Sequence, residues 1–188
     1  MVDKSVERQV VGFIDRFTPD VARAAKTARA KVRRLLPGAF ELVYDNYNAL
    51  ALAFGPSERT ADVILSIALY PRWVSLFFAR GAKLGDPSGI LRGSGKLFRH
   101  VVLQPVGVLD SVPVRALIKA AVNTHPVSLG RCRGETIIKS VSAKQRPRRP
   151  LEGRGRTTKV EAETPRGARL GKNGLLAPRA PSRAGARR

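Results

Sequence analysis

A glycine-rich, cation-rich stretch between Arg80 and His100 contains the residues of this chain that are best suited to hold a ligand. Its glycines can turn backbone N–H groups toward an anion, and its basic side chains add positive charge. The stretch therefore predicts a nest-like site for a small anionic ligand or an acidic partner. The candidate ligand-binding residues are Lys83, Asp86, Gly93, Gly95, Lys96 and Arg99. In this interpretation Asp86 caps and shapes the loop, the two glycines donate N–H groups, and the three cations supply charge.

Two other interpretations of the same stretch exist. The pair Gly95-Lys96 resembles part of a phosphate-binding P-loop, but Ile90 stands where the first glycine belongs and Leu97 replaces the Ser or Thr that would hold magnesium. A nucleoside triphosphatase is therefore excluded. The second interpretation is structural, because glycines are also needed for turns and the cations can point into water.

Catalytic and metal-binding patterns are missing from the sequence. His100 and His125 are its two imidazoles, and neither has a carboxylate or cysteine at a metal-ligand spacing. Ser94 does not have the spacing of a nucleophile elbow. Cys132 is a single cysteine, which excludes an intrachain disulfide. We therefore expect a non-enzymatic domain without a metal or cofactor, and an enzyme is a third option for which the sequence offers no defined set of catalytic residues.

Two amphipathic helices are predicted at the start of the chain. Val6, Val10, Phe13 and Phe17 recur at helical spacing, and Thr18-Pro19-Asp20 supplies a cap and a first turn for a second helix that continues to Leu35. The opposite face of this second helix is basic and is either a solvated surface or a docking surface for a polyanion. Its cations are Arg23, Lys26, Arg29, Lys31, Arg33 and Arg34.

Alternating side chains then predict an antiparallel sheet of about five strands with helices on one face. The predicted strands are residues 40–45, 49–54, 63–69, 73–79 and 98–103. Asp86-Pro87 predicts a short helical turn over residues 88–91, and Asp110 or Ser111 caps a closing helix. Residues 136–138 are a candidate for one further short strand. The expected fold class is α+β.

The charge of the chain is strongly positive and is concentrated near its end. There are 35 Lys and Arg against 14 Asp and Glu, and from Lys139 onward there are 15 basic and three acidic residues. From Val141 onward only six of 48 residues are Val, Leu, Ile or Phe, which predicts disorder. We therefore expect a domain at residues 1–140 and a disordered basic tail at residues 141–188. Non-specific nucleic-acid binding by this tail is the alternative function.

The chain resembles the YdhG-like family of bacterial domains of unknown function. The resemblance covers about residues 5–125 and is carried by ordered short motifs: Glu41-Leu42-Val43-Tyr44, the run from Arg80 to Pro87, the run from Leu91 to Lys96, and Arg99-His100-Val101. It implies a compact α+β domain and no established reaction. Some family members are described as frataxin-like iron chaperones, which need a cluster of oxygen ligands. The chain departs from that pattern, because residues 21–35 are basic and its carboxylates are isolated in sequence, so iron delivery is a minor alternative.

The sequence also bears on location. The first residues include Asp3, Glu7 and Asp15 and have no apolar signal core. The apolar run at residues 63–79 is interrupted by Pro71 and Arg72, which fits two strands better than a membrane span. We expect a cytoplasmic protein without membrane contact, and the oligomeric state stays open.

Overall fold

The computed structural model describes residues 3–130 and 134–150. Over these residues the chain forms three α-helices and one six-stranded sheet. The helices are α1 (Lys4–Ile14), α2 (Pro19–Leu35) and α3 (Val112–Asn123). The strands are β1 (Phe40–Asp45), β2 (Leu50–Gly55), β3 (Leu65–Leu69), β4 (Val74–Phe78), β5 (Arg99–Val102) and β6 (Thr136–Val141). The predicted α+β class is confirmed, with a sixth strand added to the expected five.

The sheet has the strand order β5-β4-β3-β2-β1-β6. The first five strands form the predicted antiparallel meander, in which each strand pairs with the next along the chain. β6 pairs with β1 in parallel, with Leu42 opposite Ile137. A parallel pair cannot be joined by a hairpin and needs a long crossover connection. Here the connection from β1 to β6 contains β2, β3, β4, β5 and α3. β6 can therefore pair with β1 only when these elements are in place.

On β2 and β3, the two faces of the sheet differ in the size of their side chains. Large residues such as Leu52, Phe54 and Ile67 pack with the helices in one core. Because side chains alternate along a strand, Ala51 and Ala53 on β2 lie on the opposite face, which we call the outer face. Burial of the large apolar face holds the helices on the sheet, whereas small side chains leave room on the outer face.

A buried charged cluster joins four elements of the fold. The Arg29 guanidinium of α2 donates from Nε and Nη2 to the two carboxylate oxygens of Glu41 on β1, at 2.6 and 2.9 Å. It also donates to both oxygens of Glu7 on α1, at 2.5 and 2.8 Å. The Thr136 hydroxyl of β6 donates to Glu41 at 3.0 Å. The cluster therefore fixes α1, α2, β1 and β6 to each other with directional bonds.

Residues 142–150, here called the C-terminal strap, continue from β6 and pack against the domain. The Arg148 Nη2 group donates to Asp45 Oδ1 at 2.6 Å and to the Asn46 carbonyl at 2.5 Å. Gln145 donates to Asp45 Oδ2 at 2.6 Å. The Arg148 guanidinium also lies 5.5 Å from the centre of the Phe17 ring. The strap thus covers the end of β1 with a buried arginine.

The expected boundary between domain and tail at residue 140 falls inside β6. Apolar composition placed the boundary there, but the strap is held by hydrogen bonds and by one buried ion pair rather than by apolar residues. The rest of the predicted tail, residues 151–188, and Cys132 lie outside the described residues. In the described part of the chain, no helix combines the length and the apolar character needed to cross a membrane.

Candidate ligand groove on the outer face

The structure opens a groove of about 660 Å³ on the outer face of the sheet. Its floor consists of the small side chains of Ala51, Ala53 and Ser66 on β2 and β3. The apolar side chains of Leu97 and Phe98 form a wall, and they are 52% and 55% exposed. A binding cavity of this size, with a mainly apolar lining and a few polar groups, is typical of small-molecule sites.

The two sides of the groove carry different polar groups. On the β1 side, the Tyr44 hydroxyl and the Thr60 hydroxyl are 2.7 Å apart and share a hydrogen bond. On the β4 side, Arg80 and Lys83 line the groove. No carboxylate is among the lining residues that the structure describes. The groove is therefore neutral and hydrogen-bonding on one side and cationic on the other.

The unpaired positive charge of the described residues is not where the basic helix face suggested. Five of the six cations of that face pair with carboxylates, and Arg34 is the exception within residues 3–130 and 134–150. The pairs are Arg23–Asp20, Lys26–Asp15, Arg29–Glu7, Arg29–Glu41, Lys31–Asp110, Arg33–Glu7 and Arg33–Glu41. On this helix face, Arg34 is thus the one cation without an ion pair among the described residues, which argues against docking of a polyanion there. The other cations form a surface of ion pairs.

The glycine-rich stretch, in contrast, has no ion pair among the described residues. Two backbone hydrogen bonds between Arg92 and His100, of 2.8 and 2.9 Å, close a loop that contains Gly93 and Gly95. Gly93 has a φ of 107°, in the left-handed region that favours glycine. The turn therefore requires a glycine at position 93.

Arg99 stabilises this loop from inside. Its guanidinium donates to the Phe98 carbonyl at 2.8 Å and also to the Gly95 carbonyl. Gly81 lies so close that an added Cβ would be 2.6 Å from the Arg99 Cβ atom. This close approach fixes the segment after β4, which carries Arg80 and Lys83, against the start of β5.

Asp86 bonds to the backbone of the neighbouring turn, and this turn is not helical. The Leu91 N–H donates to Asp86 Oδ2 at 2.7 Å, and the Gly89 N–H donates to the Asp86 carbonyl at 3.1 Å. Residues 87–88 form a single turn, followed by Gly89 with a φ of 62°. The expected helical turn over residues 88–91 is wrong, because a left-handed glycine stops the chain from continuing as a right-handed helix.

His100 faces the aromatic end of the outer face. Its ring stacks on Phe77, with 4.9 Å between the ring centres. Burial lowers the pKa of His100 below its ordinary value of 6.5, and the positive charge of Arg92 lowers it further. The lowered pKa favours the neutral imidazole over the charged form.

The structure thus divides the six candidate residues predicted from the sequence. Lys83 lines the groove. Asp86 and Arg99 bond to backbone groups of their own loops, while Gly93, Gly95 and Lys96 lie in the exposed loop outside the groove lining. Sequence reasoning did not identify Tyr44, Arg80 or Phe98 as groove residues. The available signal was the run of alanines at alternate positions of β2, which marks a sheet face with unfilled space.

Comparison with known proteins found no match. No family model, no curated protein and no solved structure is significantly similar to the chain. The resemblance to the YdhG-like family therefore stays a prediction. Within residues 3–130 and 134–150, no three side chains among His, Cys, Asp and Glu are grouped closely enough to hold a metal ion.

Proposed function

We propose that this protein is a non-enzymatic binding or accessory domain that holds a small anionic ligand, or an acidic group of a partner, in the outer groove. One observation carries the proposal: the groove is lined by Arg80 and Lys83 and by no carboxylate among the described residues. On α2, by contrast, cations such as Lys26 and Lys31 are neutralised by the carboxylates of Asp15 and Asp110. An anion entering the groove meets charge that no described carboxylate has already compensated.

The ligand is anionic, as expected from the sequence, but its site is the outer groove and not the glycine-rich loop. Lys83 keeps its ligand role, whereas Arg99 and Gly93 hold the loop between Arg92 and His100 in shape. Lys96 is an exposed cation beside the groove. A ligand in the groove therefore depends on Lys83, whereas a ligand in the glycine-rich loop depends on Lys96 as well.

Replacing Lys83 with glutamine is expected to weaken anion binding about tenfold, since a charge-assisted hydrogen bond contributes on the order of 1.5–3 kcal/mol. The measurement is a thermal-shift screen of phosphate, nucleotides and carboxylates, followed by titration calorimetry with the anion that gives the largest shift. The matched control is Lys96→Gln, which removes the same charge outside the groove and is expected to leave affinity nearly unchanged.

Equal losses in Lys83→Gln and Lys96→Gln would favour the glycine-rich loop over the groove. If no anion of the screen shifted the melting temperature, the proposal would be wrong.

Nucleic-acid binding by residues 151–188 is the second candidate function, favoured by their ten basic against three acidic residues. Deleting residues 153–188 is expected to abolish binding to DNA of arbitrary sequence, and binding by the full chain is expected to fall steeply with salt because counterions are released. Filter binding or fluorescence anisotropy at two salt concentrations measures both effects. DNA binding that survives the deletion would place the interaction on the domain.

A further inference from the structure

The charge of the groove selects among anions. A phosphomonoester carries about 1.5 to 2 negative charges at pH 7 and three acceptor oxygens. Two cations line the groove on the β4 side, and they differ in chemistry: Arg80 offers a planar fork of donors, and Lys83 offers a compact charge. A single carboxylate would satisfy one of them. A phosphomonoester balances both, so the cationic side is suited to a terminal phosphate.

The wall of the groove is suited to a flat ring. Phe98 is 55% exposed. Burial of a phenyl ring is favourable, so its exposure leaves an apolar surface that a ligand can cover. Exposed aromatic side chains beside basic residues are the common platform on which nucleobases stack. The floor of Ala51, Ala53 and Ser66 is low, so a planar group can lie over the sheet beside this ring.

The β1 side of the groove can read the edge of such a ring. Tyr44 and Thr60 present hydroxyl groups there, and the Asn46 amide lies at the same side. β1 and β4 are three strand spacings apart, which is about 14 Å. The groove thus places neutral donors and acceptors at one side, and two cations next to the aromatic wall at the other side, where the Ala82 N–H donates to the Leu97 carbonyl at 2.9 Å.

We infer that the groove binds a nucleoside monophosphate unit, with the phosphate at Arg80 and Lys83 and the base against Phe98. The inference rests on the proposed function and narrows its ligand class. The same unit occurs in a free mononucleotide and at the phosphorylated end of a single strand, and the groove recognises the chemistry that both share.

The test uses the full chain and measures affinity by titration calorimetry at fixed salt. The probes are adenosine, cytidine, guanosine and uridine monophosphates, ribose 5-phosphate, adenosine, an aromatic carboxylate such as naphthoate, and a 5′-phosphorylated single-stranded pentanucleotide. At least one monophosphate is expected to bind ten times more tightly than either ribose 5-phosphate or adenosine. Replacing Phe98 with alanine is expected to remove about tenfold of that affinity and to leave ribose 5-phosphate unaffected.

Tyr47 provides the matched control, because it is an aromatic residue with 50% exposure that does not line the groove. Tyr47→Ala is expected to leave all affinities unchanged, and because the tail is identical in every variant, differences between variants report on the groove. Equal melting temperatures show that the variants are folded.

The outcomes separate the two levels of the proposal. If naphthoate binds in a Lys83-dependent manner while the monophosphates bind no better than ribose 5-phosphate, the nucleotide inference is wrong and the anion-binding function stands. If no probe binds in a Lys83-dependent manner, both are wrong. Tighter, Phe98-dependent binding of the pentanucleotide identifies a strand end as the source, and tighter binding of a monophosphate identifies a free nucleotide.

Discussion

Replacing Arg29 with methionine is expected to lower the free energy of unfolding by about 3–5 kcal/mol, because it leaves a buried carboxylate without its partner. Glu41 is 2% exposed, and Arg29 donates two of its hydrogen bonds. For a domain of this size the melting temperature should fall by about 10 °C. Chemical denaturation and thermal unfolding measure the two quantities. Arg34→Met is the control, since Arg34 lies on the same helix without an ion pair among the described residues.

A double replacement separates the net contribution of the ion pair to stability from the loss of stability when one partner is left unpaired. Arg29→Met combined with Glu41→Leu removes both buried charges, and buried pairs exchanged for apolar side chains often regain stability. We expect the double variant to be clearly more stable than Arg29→Met alone. A loss in Arg29→Met no larger than in Arg34→Met would show that the cluster contributes little.

The same cluster has a pH signature. Hydrogen bonds from Arg29 lower the pKa of Glu7 below its ordinary value of 4.5, although burial opposes the shift. Burial also opposes the charge on Arg29, but the bonds to Glu41 and Glu7 outweigh it and raise its pKa. Because the folded carboxyl of Glu7 has the lower pKa, its contribution to stability is present above pH 4.5 and is lost as the pH falls through the folded pKa. Arg29→Met should weaken this acid dependence.

Deleting the chain after Ser140 is expected to destabilise the domain by about 3 kcal/mol, whereas deletion after Glu152 should leave its stability unchanged. The longer deletion removes Arg148 and Gln145 and leaves Asp45, which is 1% exposed, with the bond from Arg16 alone among those that the structure describes. Thermal unfolding of both truncations measures the difference.

A point variant isolates the buried arginine from the rest of the strap. Arg148→Met should reproduce much of the loss, and Arg146→Met should not, because Arg146 is exposed and its side chain reaches only Asn48 Oδ1, at 3.5 Å. Equal stability of the two truncations would mean that the strap adds nothing to the fold. Experiments on the tail therefore need the cut after Glu152, where the strap is kept.

Local patterns predicted the greater part of the fold. The helical spacing of Val6, Val10 and Phe13 identified α1, although α1 ends at Ile14 and the predicted continuation to Phe17 is wrong. The Thr18-Pro19-Asp20 signal located the start of α2. Strict alternation identified the meander from β1 to β4, because a strand with one buried face has a period of two residues. These features depend on neighbours along the chain, and the sequence lists those neighbours directly.

The candidate site was predicted less completely. The glycines and cations of residues 80–100 are visible in the sequence, but their roles depend on the direction in which each side chain points. Arg99 turns to its own loop carbonyls, while Lys83 turns to a groove whose floor belongs to β2 and β3. Asp86 accepts a hydrogen bond from the Leu91 N–H, a local contact between a side chain and nearby backbone.

By itself, the amino-acid sequence determined the fold class, the order of the first five strands, the anion-friendly composition of residues 80–100 and the concentration of positive charge after Lys139. Tertiary structure alone decided which cations are free. Arg29 and Glu41 are twelve residues apart, and Arg148 and Asp45 are 103 residues apart, so their pairing follows from the packing of α2 and β6 beside β1. The sequence gives only the net charge of the chain. The positive charge available to a ligand is carried by the cations that do not pair with a carboxylate in the folded protein. Among the described residues, Arg80 and Lys83 belong to the cations that form no ion pair, and they line the groove on the sheet face that the helices leave open.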